Sequence, residues 1–176
     1  MKSLLLIIFC YFLPHSVYAE ESCIILKANK NTNSGEYFFK QHTFDNMQDL
    51  AIVNVQGAVR RVTFGRDNGL KTCFFQPLAF AQGGEGASYW GWHMLWAETF
   101  SGKQTGGLFY ARMDGEVWVS SLPKRFTKLA PINTNFRLDG QKIIVTWQQV
   151  ENGVTSNMQA VSDDEGRSWH IKPARS

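Results

Sequence analysis

SDDEGRSW, residues 162–169, combines an acidic side chain, a glycine and an indole at a spacing that predicts a tight turn between two strands. In such a turn the carboxylate of Asp164 can accept backbone N–H hydrogen bonds, and Gly166 can take a positive φ. Ser162 offers a hydroxyl on the other side, and Trp169 begins the next strand, where its ring can pack under the turn. The apolar segment before it, 143–162, predicts the two strands that lead in.

The octet fits the pattern S-x-D-x-G-x-x-W at every defined position. It therefore resembles the Asp box, or BNR repeat, of sialidase-type β-propellers. In that family the Asp box is an element of the fold that lies away from the catalytic pocket. The resemblance implies a structural role for Ser162, Asp164, Gly166 and Trp169, in a sheet of four antiparallel strands.

A second, degenerate copy of the pattern lies upstream. An offset of about 50 residues separates three matching pairs: Trp96 from Trp147, Trp118 from Trp169, and Gly115 from Gly166. A third and fainter copy centres on residues 65–69. Self-similarity at a fixed period is typical of propellers and solenoids, so the sequence predicts three repeats.

Helical periodicity is nearly absent, and about twelve short runs rich in β-branched and aromatic residues alternate with turn residues. Tyr89–Glu98 and Val117–Ser121 are among these runs. The fold class expected is all-β, a partial or small β-propeller-like array of four-stranded antiparallel sheets, with a β-sandwich as the alternative. Because propellers close with about four to eight blades, three repeats would pair as a homodimer, stay open, or offer an edge to a partner.

The N-terminus has the pattern of a signal peptide over residues 1–19, with cleavage expected after Ala19. Its apolar run is too short to span the ~30 Å membrane core as a helix. We therefore expect residues 20–176 to form a single all-β Asp-box domain that is periplasmic or secreted and not embedded in a membrane.

In an oxidising compartment Cys23 and Cys73 predict a disulfide, with a catalytic thiol or a metal site as the alternatives.

The net charge of +3 is small and dispersed, so composition does not favour a nucleic-acid partner. The histidines are scattered along the sequence without a metal-ligand spacing, and no cofactor or metal is expected. His93 lies on the predicted strand Tyr89–Glu98 and is interpreted as a hydrogen-bonded core residue.

The strand Tyr89–Glu98 places Trp90, Trp92 and Trp96 on one face, because side chains alternate between the faces of a strand. Three indoles in a row would suit a carbohydrate platform. The opposite face is also largely apolar, which favours burial between two layers. Both interpretations of the indoles stay open at this point.

The sequence predicts no catalytic constellation. Arg60, Arg112 and Arg137 could imitate the three arginines with which sialidases hold a substrate carboxylate, but Asp139 replaces the proline of the family's arginine motif.

The leading hypothesis is a non-catalytic module that binds another envelope or secreted protein, such as an inhibitor, an immunity protein or an envelope-complex component. The expected contact loops are 82–88, with Glu85, and 101–107, with Lys103. Arg137 and the three indoles are further candidates for binding. A carbohydrate-binding module that takes glycans is the alternative, followed by a sialidase-type glycosidase.

Overall fold

The structure, a computed structural model, describes residues 33–44, 47–63, 72–83, 91–100, 106–115 and 119–174. The side chains of 33, 47, 48, 72–75, 99 and 100 lie outside this description. Within the described ranges the chain forms twelve strands and no helix, which confirms the all-β prediction. The predicted signal peptide, Cys23, Glu85, Trp90 and Lys103 lie outside the described residues.

The strands form three four-stranded antiparallel sheets, each with its strands in chain order. The N-terminal sheet contains β1 Asn33–Ser34, β2 Tyr37–Phe44, β3 Met47–Asn54 and β4 Val59–Arg61. The middle sheet contains β5 Thr72–Gln82, β6 Gly91–Phe100, β7 Gly107–Asp114 and β8 Lys124–Thr127. The C-terminal sheet contains β9 Ile132–Asp139, β10 Lys142–Glu151, β11 Val154–Ser162 and β12 His170–Pro173. None of the three closes on itself over the described strands.

Local turn chemistry explains why consecutive strands pair. β10 and β11 are joined at Asn152 and Gly153, whose φ angles are 50° and 79°. Two central residues with positive φ match the twist of a hairpin, and the Asn-Gly pair adopts this conformation readily. The register then runs without a break from Glu151 opposite Val154 to Ile143 opposite Ser162.

The middle sheet has a hydrophobic core on each face. One core joins it to the N-terminal sheet and includes Phe39 and Ile52. The other joins it to the C-terminal sheet and includes Val145 and Trp147. Strand β6 contributes to both cores, since alternate side chains point to opposite faces. The three sheets therefore stack as layers, unlike a sandwich of two sheets.

The burial that the alternation along β6 favours for Trp92 and Trp96 is confirmed, and their alternative interpretation as a carbohydrate platform is wrong. Their exposed fractions are 2% and 0%. Trp96 stacks on Phe109 at 5.8 Å between ring centroids and meets Phe39 edge-on at 6.2 Å. The apolar residues on both faces of β6 bury it between two sheets, and neither indole has a surface on which a sugar could stack.

The strand predicted at Val117–Ser121 is described only from Val119 to Ser121. There Ser120 forms an isolated antiparallel bridge with Met113, Val119 O accepts a hydrogen bond from Asp114 N at 3.3 Å, and Ser121 N donates one to Arg112 O at 2.7 Å. The fourth strand of the middle sheet is β8, where Phe126 stacks 6.0 Å from Trp147.

The repeat seen in the sequence has a structural counterpart. Trp96 and Trp147 lie on the second strand of the middle and C-terminal sheets. Each indole Nε1 donates a hydrogen bond to the side chain two residues further on, to Glu98 Oε1 at 3.0 Å and to Gln149 Oε1 at 3.1 Å. A buried indole and a polar acceptor two residues further on, a carboxylate in one sheet and an amide in the other, thus recur at equivalent positions of two sheets.

The outer face of the C-terminal sheet is polar. Gln148, at its centre, accepts a hydrogen bond from Asn133 at 2.7 Å and donates one to Asn157 at 3.0 Å. Amide groups joined in this way remain well solvated, and burying them under an apolar layer would cost free energy. This face therefore ends the stack without needing a fourth sheet.

Candidate functional site

The turn after β11 is held by side chains that lie within seven residues of one another. Ser162 Oγ accepts a hydrogen bond from Gly166 N at 2.7 Å and donates one to Asp164 Oδ1 at 2.8 Å. Ser168 donates to Asp164 twice, from its backbone N at 2.8 Å and from its hydroxyl at 2.6 Å. One carboxylate and one hydroxyl thus satisfy most of the polar groups of the turn.

Asp164 is kept ionised by these contacts. Burial raises the pKa of its carboxyl, but the hydrogen bonds from Ser168, Ser162 and Arg167 favour the charged form more strongly. The balance lowers the pKa of Asp164 from 3.8 to about 2. The turn therefore carries its full set of charge-assisted bonds at any physiological pH.

Asp164→Ala is expected to lower the free energy of unfolding by about 1–2 kcal/mol, because three hydrogen bonds to one carboxylate are lost at a partly exposed site. Asp163→Ala is the matched control. Asp163 lies next in sequence and makes an exposed ion pair with Lys142 at 3.1 Å, so its loss should cost about 0.5 kcal/mol or less. Urea unfolding of both variants measures the difference, and equal losses would contradict the role given to Asp164.

The turn docks onto the middle sheet through Gly166. Its φ is +83°, and a Cβ added there would lie 1.9 Å from Tyr110 Oη and 2.6 Å from Tyr110 Cζ. Trp169 completes the contact, with its ring 4.7 Å from those of Tyr110 and Phe126. Its Nε1 donates to Gly166 O at 3.2 Å. The backbone of the turn thus lies directly over an aromatic side chain from another sheet.

A cleft of about 650 Å³ lies between this turn and the connection from β7 to β8. We call it the basic cleft. Three cationic side chains, those of Arg112, Lys124 and Arg167, belong to its described lining, which contains no carboxylate. The full lining is Tyr110, Arg112, Ser121, Leu122, Pro123, Lys124, Gly166, Arg167, Ser168 and Trp169. Both layers contribute, so the cleft exists only where the middle and C-terminal sheets meet.

Strand register brings polar groups together beneath the basic cleft. His93 on β6 pairs with Arg112 on β7, and both follow the face that carries Tyr110. His93 Nδ1 lies 2.7 Å from Tyr110 Oη, and His93 is 2% exposed. This confirms the interpretation of His93 as a hydrogen-bonded core residue.

His93 is neutral at physiological pH. Burial lowers the pKa of its imidazole, the Arg112 guanidinium lowers it further, and the carboxylate of Glu165 raises it in part, leaving a pKa of about 4. Charging this ring would place a cation beside Arg112 in a region closed to water. The neutral ring therefore serves as a fixed hydrogen-bond partner for Tyr110.

Glu165 is a buried carboxylate at the edge of the same cluster. It is 2% exposed, and Arg167 Nη1 donates to its Oε2 at 2.9 Å. Its backbone N donates to Gln141 O at 2.9 Å, on the preceding turn of the sheet. A buried carboxylate held by a half-exposed guanidinium fixes the position of Arg167 at the mouth of the cleft.

An apolar wall borders the basic cleft on one side. Leu122 is 92% exposed, the highest value among the large exposed hydrophobic residues of the described chain. Pro123 follows it, and Val119 on the same connection is 64% exposed. Leu122 and Pro123 thus place apolar surface next to the cationic side chains of the cleft.

The structure brings together only some of the residues that the sequence singled out. Ser162, Asp164, Gly166 and Trp169 form one turn, beside the cleft. Arg137 lies elsewhere on β9, exposed, 3.6 Å from Asp139. Cys73 lies on β5, but its side chain and Cys23 lie outside the described residues.

The three arginines that could imitate a sialidase triad do not converge. Arg60 is exposed on β4 of the N-terminal sheet, Arg137 is on the C-terminal sheet, and only Arg112 lines the cleft. Arg167 and Lys124 are the cations that do accompany Arg112. Sequence reasoning missed them, because no local motif connects the turn with the middle sheet.

Within the described ranges of the chain, no cluster of three or more His, Cys, Asp or Glu side chains that could hold a metal ion occurs. Nor does any helix in those ranges have the length and apolar character needed to cross a membrane.

Comparison with known proteins gives no relative from which a role could be taken. No protein-family model, curated protein or solved structure matches the chain.

Proposed function

We propose that this chain is an exported, non-catalytic protein-interaction module built from propeller-like Asp-box repeats, and that it binds its partner at the basic cleft. The observation that carries the proposal is the exposed Leu122 beside a cleft lined by Arg112, Arg167 and Trp169. Inhibitors, immunity proteins and components of envelope complexes belong to this functional class.

The composition of the cleft is that of a protein-binding hot spot. Arginine, tyrosine and tryptophan are enriched at the energetic centres of protein interfaces. Here Arg112, Arg167 and Trp169 line one cavity, and Leu122 supplies apolar area that a partner would remove from water. Polar and apolar groups are thus arranged as a small interface core with a charged rim.

The site is also preorganised. Asp164 and Ser162 fix the turn by hydrogen bonds, and the ring of Trp169 is held against Tyr110 and Phe126. Side chains that are already ordered lose little conformational entropy when a partner binds. This supports recognition of a defined surface.

The propeller-like part of the proposal is supported by three meander sheets of four strands and by the matching positions of Trp96 and Trp147. Export is supported by the signal-peptide pattern of residues 1–19. The polar outer face around Gln148 favours a single chain over a ring completed by a second copy, because ring closure would bury that face.

Carbohydrate binding and sialidase activity are weaker proposals. Trp92 and Trp96 cannot stack on a sugar, since both are buried. Arg60 and Arg137 lie away from Arg112, so the carboxylate-binding constellation that the Asp-box resemblance would suggest has no counterpart among these three residues.

The test is comparative affinity capture with the full chain, expressed in its native host with a C-terminal tag. Leu122→Asp places a charge at the centre of the proposed interface. Val154→Asp, at a residue 65% exposed at the start of β11, is the control. We expect one stoichiometric protein with the wild type and Val154→Asp that is absent with Leu122→Asp. Capture of no protein beyond the tag control, or equal capture by both variants, would overturn the proposal.

A further inference from the structure

We infer that a second copy of this chain pairs with the free edge of β9, antiparallel and centred on Leu138, so that two C-terminal sheets join into one continuous sheet. This interface lies away from the basic cleft, and the inference goes beyond the proposed function. It follows from the length and composition of the edge, from its unpaired backbone groups and from the order of its charges.

Strand β9 is the least protected of the sheet edges that the structure describes. The edge strands β1, β4, β8 and β12 have four residues or fewer, and β12 also carries Lys172 and Pro173. The edge strand β5 is longer, but Pro77 and a register shift interrupt it. β9 has eight residues, with no proline and no lysine. Short strands, prolines and lysines are devices that keep an edge from pairing with another chain, and β9 has none of them.

Backbone groups of β9 are available for such pairing. The register with β10 is unbroken over Asn135–Asp139. A turn of two residues joins the strands, so Asp139 and Lys142 form its closing hydrogen-bonded pair. Alternate residues then bond to β10, and the N–H and C=O groups of Phe136 and Leu138 point away from it. Among the described strands none is hydrogen-bonded to this side of β9.

Apolar side chains beside the open edge remain partly in water. Phe136 and Leu138 pack against the core between the middle and C-terminal sheets, yet both are only half-buried. Pairing centred on Leu138 sets the two copies of this residue opposite each other, where their side chains can meet. The apolar area removed from water in this way favours association.

The charges of β9 select a second copy of the chain as the occupant of the edge. Arg137 and Asp139 precede and follow Leu138, and both are exposed on the polar face. Within one chain Arg137 Nη2 lies 3.6 Å from Asp139 Oδ2, beyond the usual length of a hydrogen bond. Antiparallel pairing about Leu138 sets Arg137 opposite Asp139 of the second copy, and two-fold symmetry forms this pair twice. The strand is thus complementary in charge to itself.

The neighbouring registers are less favourable. Pairing about Arg137 would bring two arginines face to face, and like charges directly opposite each other destabilise a sheet. Pairing about Phe136 would set Asp139 opposite Asn133 of the second copy, where a φ of 50° interrupts the strand. Of these three registers, the one centred on Leu138 alone places opposite charges across from each other.

The rest of the fold accommodates this interface. Pairing at β9 extends the C-terminal sheet in its own plane and leaves the polar outer face around Gln148 in water. The turn at the basic cleft leads into β12, at the opposite edge of the same sheet. Both clefts therefore stay open, and the dimer would present two copies of the proposed partner-binding site.

The experiment is sedimentation equilibrium at low salt, with protein purified from expression of the full chain. Arg137→Asp turns both attractive pairs of the interface into repulsive ones. The double variant Arg137→Asp/Asp139→Arg exchanges the two charges and restores both pairs. Lys172→Glu reverses an exposed charge on β12, at the far edge of the same sheet, and is the control. All substituted side chains are exposed, so the variants should keep the fold.

We expect a concentration-dependent dimer whose dissociation constant rises about tenfold with Arg137→Asp, because two cross-strand pairs become repulsive. The double variant should return to within about twofold of the wild type, and Lys172→Glu should stay within the same range. A wild type that is monomeric up to about 1 mM would overturn the inference. A double variant that dimerises no better than Arg137→Asp would overturn it as well.

Two further outcomes would assign the edge or the dimer differently. The dimer should persist in Leu122→Asp, because Leu122 lies at the basic cleft. Loss of the dimer in that variant would place the interface at the cleft and overturn the inference. A monomeric chain that captures a different protein, with capture lost in Arg137→Asp, would overturn it in favour of a strand supplied by that protein.

Discussion

Gly166→Ala is expected to lower the free energy of unfolding by about 3 kcal/mol. Two costs add. A residue with a side chain is strained at a φ of +83° by about 1 kcal/mol, and the new Cβ would lie 1.9 Å from Tyr110 Oη. Overpacking of this kind typically costs about 1–3 kcal/mol.

Tyr110 cannot easily move aside to relieve the contact. Its hydroxyl is bonded to His93 at 2.7 Å, and its ring stacks on Phe126 at 6.1 Å and meets Trp169 edge-on at 4.7 Å. Moving the ring would disturb the core between the middle and C-terminal sheets. The added methyl group should therefore displace the turn and loosen the basic cleft.

The matched control is Gly153→Ala. Gly153 has a similar φ of +79°, but a Cβ added there meets nothing within 4 Å. The Gly153→Ala variant therefore measures the destabilisation caused by backbone strain alone, about 1 kcal/mol. Urea unfolding followed by tryptophan fluorescence measures both variants. Equal destabilisation would mean that Tyr110 yields to the methyl group, contrary to the packing described.

The second large effect is a loss of stability between neutral and acidic pH that depends on His93. An unfolded histidine titrates near pH 6.5, whereas the folded His93 has a pKa of about 4. Between these values the unfolded chain binds more protons, so protonation favours unfolding. The stabilising contribution is fully present above pH 6.5 and is lost as pH falls towards 4. Between pH 7.5 and pH 4.5 the loss is expected to be about 2–3 kcal/mol.

His93→Asn tests this assignment. Asparagine keeps a nitrogen that can reach Tyr110 Oη but does not titrate, so the variant should lose about 2 kcal/mol less than the wild type over the same pH interval. His170→Gln, which removes an exposed histidine at the start of β12, should keep the wild-type loss. A wild-type loss in His93→Asn would assign the pH dependence to other groups.

Strand patterns and turns were well predicted where the signals are local. The alternation along residues 91–98 placed His93 and the indoles on opposite faces and favoured a layer on each side, and Trp92 and Trp96 are buried. The β8 strand was missed, because Lys124 to Thr127 contains few β-branched residues and Phe126 is fixed by a distant indole, Trp147.

Only one side of the candidate site, the turn, was predicted from the sequence. The sequence identified the turn from Ser162 to Trp169, since its groups lie within a few residues of one another. Arg112 and Lys124 were not identified as a pair. Their partners in the cleft lie about 50 residues further along the chain, and nothing in either segment indicates that the other packs against it.

The sequence by itself determined the all-β class, the four-stranded sheets and the residues of the turn, because these depend on side-chain alternation and on backbone preferences over a few residues. Only the tertiary structure decided that the indoles of β6 are core residues and that Arg112, Lys124 and Arg167 share a cleft. These outcomes depend on which faces of separate sheets pack together. That choice is made by the total apolar area buried between the layers, not by any single stretch of sequence.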